Sequence, residues 1–101
     1  MPSRLDLQAV LEEILGSTNV YFQPPASVRM QYPAIVYKLS RVDKQFANDE
    51  TYLQHPGYEI TLIDRNPDSE FFGKILRLPY CKFDRYYPAE NLNHWVFTKR
   101  N

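Results

Sequence analysis

Eight prolines punctuate this 101-residue chain, and their positions decide which stretches can form regular structure. Proline fixes its own backbone angle and donates no amide hydrogen, so it ends helices and strands instead of sitting inside them. Pro24 and Pro25 close a short extended run, Asn19 to Gln23, and Pro33 opens the next, Ala34 to Val42. Pro56 interrupts the chain just before Tyr58, Pro67 suits the first position of a helix, Pro79 stops that helix, and Pro88 opens the last turn.

The patterns between the prolines are short and well separated. Leu7, Val10, Leu11, Ile14 and Leu15 recur at helical spacing, with Ser3 as cap, Asp6 three residues on, and Gly16 as a left-handed stop. Val20, Tyr21 and Phe22 favour a strand. Ile35, Tyr37 and Leu39 alternate with Val36, Lys38 and Ser40, and Tyr58, Ile60 and Leu62 alternate with Glu59 and Thr61; period two marks half-buried strands. A second helix is predicted from Asn66 as cap and Pro67 as first residue, with Phe71, Phe72, Ile75, Leu76 and Leu78 turned inward. A closing hairpin follows. Cys81 and Phe83 alternate with Lys82 and Asp84, the turn spans Pro88 to Asn93, and Trp95 and Phe97 alternate with Val96 and Thr98.

The order α-β-β-β-α-β-β implies an α+β fold, a mainly antiparallel sheet of about four to five strands with two helices packed on one face. Residues 1–101 read as a single domain. The polar stretch between the second and third strands reads as a hairpin projecting from the core at about residues 41–54.

Chemistry is scarce. Twelve basic residues balance twelve acidic ones, which argues against binding through phosphate neutralisation. Cys81 is the one cysteine, so no internal disulfide forms, and its apolar neighbours point to a buried thiol rather than a nucleophile. His55 and His94 lack partners at metal-ligand spacing. Cys81 with His94 is the one Cys–His pair that adjacent strands bring within reach. The carboxylate pairs Glu12/Glu13, Asp49/Glu50 and Asp68/Glu70 fall on helix surfaces, a hairpin tip and a helix start. No serine has a nucleophile-elbow context, and three glycines are too few for a phosphate loop. The expectation is a non-enzyme with no catalytic residue, cofactor or metal. The first residues carry no apolar signal core, and no apolar run approaches a membrane span. Eight tyrosines instead favour a protein-binding surface, because tyrosine joins an apolar body to a polar tip.

Three stretches carry a resemblance. Tyr32-Pro33-Ala34-Ile35-Val36-Tyr37, Gly57 to Asp64, and the pair Phe83 to Tyr87 with Asn91 to Trp95 resemble small structural proteins of long-tailed phages and prophages, the tail terminators and tail-completion (head–tail joining) proteins. The resemblance spans nearly the whole chain. It implies a mixed or antiparallel sheet flanked by helices, and a homo-hexameric ring at the head-proximal end of the tail. Such a ring ends growth of the tail tube protein and joins the tail to the head connector or stopper protein. DNA passes through its lumen without specific binding, and no membrane is involved. The resemblance places the protein in the virion, at the head–tail junction, with assembly in the host cytoplasm. The alternatives are a tail-completion protein at the same junction and a small non-enzymatic binding module. The length and mixed charge of the projecting hairpin suggest Arg41, Asp43, Lys44, Phe46, Asp49 and Tyr52 as subunit or partner contacts.

Overall fold

The computed structural model describes residues 4–40 and 57–100. Seven elements follow in the expected order: α1 (Arg4–Leu15), β1 (Val20–Phe22), β2 (Ala34–Ser40), β3 (Gly57–Asp64), α2 (Phe71–Leu76), β4 (Cys81–Ala89) and β5 (Leu92–Arg100). The strands form one sheet in the order β1-β2-β3-β5-β4. β1 runs parallel to β2, and the other three pairings are antiparallel. The fold is therefore α+β with a mixed, mostly antiparallel sheet. The cap residue Ser3 and the projecting hairpin at 41–54 lie outside the described residues.

Alternation along each strand converts directly into rows across the sheet. One row runs Val20, Ile35, Leu62, Trp95 and Tyr86; the next runs Phe22, Tyr37, Ile60, Phe97 and Phe83. Both rows face the helices. Leu7, Leu11 and Leu15 of α1 and Ile75 of α2 join them in one core, in which Leu11, Ile35, Tyr37, Ile60, Leu62, Ile75 and Phe97 are wholly buried. Truncating one such aliphatic side chain to alanine costs about 2–5 kcal/mol, because the cavity adds to the lost transfer energy. Aromatic rings stitch the β4 side of this core. Phe72 of α2 lies 5.3 Å from both Phe83 and Phe97, and Trp95 lies 5.6 Å from Tyr86.

Two expectations need correction. α2 begins at Phe71, not at Pro67. Asn66 does not cap it: its Oδ1 accepts the amide of Asp68, two residues on, at 3.0 Å. That side-chain turn offers the backbone an alternative to the helix, and the chain takes it. Val96, which alternates with Trp95 and Phe97, is only 1% exposed although it lies on the face away from the helices.

The α1 stop is as expected. Gly16 takes φ +74°, and its amide donates to the Glu12 carbonyl at 2.8 Å. The β4–β5 turn is tighter than expected, with Glu90 and Asn91 alone between Ala89 and Leu92. Both have positive φ, 54° and 63°, the type I′ geometry that matches the right-handed twist of the flanking strands. Closure at Ala89 and Leu92 makes that pair hydrogen-bonded, so the nitrogen of Pro88 faces the outer edge, where no ladder bond is lost. The edge is blunted again at Asp84, an extra residue that shifts register between Phe83 and Arg85.

Candidate protein-interaction surface

The six residues expected to form an interface, Arg41, Asp43, Lys44, Phe46, Asp49 and Tyr52, lie outside the described residues. What is described is their root. Ser40 and Gly57 pair with one another at one end of the sheet, and Gly57 pairs onward with Arg100.

Beside that end runs a groove between α1 and the segment from α2 into β4. One stretch has a volume of about 320 Å³ and is lined by Leu7, Val10, Leu78, Pro79 and Tyr80, with Asp6 and Lys99 at its rim. A second stretch of about 450 Å³ shares Val10 and Leu78, adds Ile14, and sets Glu13 of α1 opposite Lys74 and Arg77. The floor is apolar, the α1 wall is acidic, and the opposite wall is basic. α1 creates this groove because its apolar stripe is wider than the sheet can cover. Leu7, Leu11 and Leu15 reach the core, whereas Val10 stays 38% exposed. The width of that stripe was visible in the sequence, although the groove itself was not anticipated.

Tyr80 stands at the mouth of the groove and is 73% exposed. Its φ is +56°, a left-handed conformation that is strained for a bulky side chain. The carbonyls on either side of it are tied down: Lys99 Nζ donates to the Pro79 carbonyl at 2.8 Å, and the Arg100 amide donates to the Tyr80 carbonyl at 3.0 Å. Burial lowers the Lys99 pKa, and the neighbouring Cys81 offsets part of that shift.

At the far end of the hairpin a second surface is exposed. Tyr86, Tyr87, Pro88, Ala89, Glu90 and Asn91 all face solvent. The Tyr86 hydroxyl donates to Asn93 Oδ1 at 2.6 Å, and Asn93 Nδ2 donates to the carbonyls of Asp64 and Arg65 at 3.1 and 3.2 Å. This stiffens the hairpin close to its turn.

The structure does not unite the Cys–His pair. Cys81 is opposite Lys99 and points toward the helices, whereas His94 is opposite Tyr87 on the other face. Five register steps along β5, from Lys99 to His94, separate the two rows, about 17 Å at roughly 3.3 Å per residue. Burial raises the Cys81 pKa, and Lys99 opposes the rise in part; the thiol is held in its unreactive form. His94 stacks on Tyr87 with ring centroids 4.6 Å apart and planes 12° apart. Its Nδ1 is buried and finds no hydrogen-bond partner among the described residues. Among the described residues no three His, Cys, Asp or Glu side chains gather where they would hold a metal ion, and no helix is long and apolar enough to cross a membrane. Comparison with protein-family models, with curated proteins and with solved structures gave no match.

Proposed function

We propose that this protein is a tail terminator of a long-tailed phage or prophage. Six copies form a ring that caps the finished tail tube and presents a different surface to the head connector. Tube subunits add because each layer exposes a surface for the next. A terminator ring occupies that surface and offers another, so growth stops by mismatch. The protein acts by binding and carries out no reaction.

One observation carries this reading. The three stretches that resemble tail terminators fall on β2, β3, β4 and β5, which are neighbours in the sheet, so the resemblance follows one continuous part of the fold. The α+β class with helices against a mostly antiparallel sheet agrees with what the resemblance implies. Rings arise when a head-to-tail contact closes on itself, and six weak contacts then act together.

Native mass spectrometry and negative-stain microscopy test this, on the purified chain alone and with tail tubes assembled from a tube protein of a long-tailed phage. Six-membered rings, and tubes that stop lengthening once capped, are the expected result. Monomers throughout, with tubes that keep growing, reject it. The groove beside α1 favours a second reading, a small non-enzymatic binding module, which predicts a monomer or dimer at every concentration.

A further inference from the structure

We propose that the β4–β5 turn of one copy seats in the α1–α2 groove of the next copy, forming a head-to-tail contact. The inference deepens the ring reading by naming two surfaces that meet, and it rests on that reading.

The two surfaces lie at opposite ends of one hairpin. Tyr80 and Lys99 border the groove, and Glu90 and Asn91 form the turn. Allowing for the bulge at Asp84, eight register steps separate Tyr80 from Ala89, about 26 Å at roughly 3.3 Å per residue. A turn therefore cannot reach the groove of its own chain, and a contact between the two must join copies. Complementary patches at opposite ends of one rigid element produce a heterologous contact, which builds rings or filaments instead of closed pairs.

Polarity and charge both match. The groove floor is apolar, and the turn approaches it with the exposed apolar residues Pro88 and Ala89. Glu13 of α1 faces Lys74 and Arg77 across the groove. The turn presents a carboxylate and an amide side by side. Glu90 meets the basic wall, and the Asn91 amide donates toward the acidic one. The turn is also preorganised, by its two-residue type I′ geometry and by the Tyr86–Asn93 hydrogen bond behind it. A rigid element forfeits little entropy on docking. The tip is small against the roughly 800 Å² per partner of a stable interface, so one contact is weak and a closed ring is needed to hold it.

Cysteine cross-linking tests the contact in a Cys81→Ala background, with the fold checked by circular dichroism. Val10→Cys marks the groove and Ala89→Cys marks the turn. The double variant, oxidised and run without reductant, is expected to give a ladder of multimers. A mixture of the two single variants is expected to give one cross-linked dimer and nothing larger. A dimer from Ala89→Cys alone, or no cross-link in either experiment, overturns the proposal. Native mass spectrometry of the same samples separates the two failures. Multimers without cross-links reject this contact and leave the ring standing, and monomers without cross-links reject both. As a charge test in this double variant, Glu90→Lys is expected to abolish the ladder and Arg77→Glu in the same chain to restore it.

Discussion

The hydroxyl of Tyr37, a wholly buried ring on β2, donates its hydrogen to Gln8 Oε1 on α1, joining residues 29 apart in the sequence. Gln8 passes the link on, because its Nε2 donates to the Val20 carbonyl at 3.1 Å and to Glu12 Oε2 at 3.0 Å. Arg4 adds a bond to the same hydroxyl at 3.3 Å and lies over the Phe22 ring at 4.6 Å. Tyr37→Phe keeps the ring and strands the Gln8 oxygen. The expected cost is about 1–2 kcal/mol. Thermal unfolding should show it as a lower Tm, by roughly 4–8 °C for each kcal/mol in a domain of this size.

Asn93 ties three segments together: β4 through Tyr86, its own strand, and the end of β3 with the loop after it through the carbonyls of Asp64 and Arg65. Asn93→Ala removes all three bonds and should lower stability by about 1–2 kcal/mol in urea titration. Asn93→Asp should cost more, since it keeps an acceptor for Tyr86 but turns a carboxylate onto two carbonyls. Faster amide exchange at Arg65–Asp68 is expected in both variants.

Among the described residues His94 Nδ1 is buried without a hydrogen-bond partner, while its ring stacks on Tyr87. His94→Phe keeps the stacking surface and removes the unsatisfied group. It should raise stability by about 1 kcal/mol, which a urea midpoint would detect.

Burial raises the Cys81 pKa above its ordinary value of 9.0, against a smaller opposing effect of Lys99. A folded pKa above the unfolded one means that the thiol's contribution is complete below the unfolded value and is lost as pH rises through the folded value. Native protein should therefore react with iodoacetamide more slowly at pH 8 than urea-unfolded protein does. The alkaline fall in stability should be shallower in Cys81→Ala than in the parent chain. Equal rates in native and unfolded protein would show an accessible thiolate instead.

Much of the fold was legible locally. Ile35 and Tyr37, Tyr58, Ile60 and Leu62, and Trp95 and Phe97 all turn toward the helices as their alternation indicated, because the side-chain period of a strand is two whatever its neighbours are. The start of α2 was misread for an equally local reason. Asn66 can cap a helix or close a side-chain turn, and which it does depends on the packing of Phe71 and Phe72 downstream. The interface first expected falls outside the described residues, and the groove draws on α1, α2, the link from α2 to β4, and β5 at once.

The sequence by itself determined the α+β class, the order of the seven elements and the faces of the central strands. These depend on hydrophobic period and on proline and glycine positions, which each segment carries within itself. The tertiary structure alone decided that β1 runs parallel to β2, that β5 lies between β3 and β4, and that Val10 and Tyr80 border one groove. Those relationships join residues far apart in the chain. They are set by which apolar faces can be buried together, and a local period carries no record of that choice.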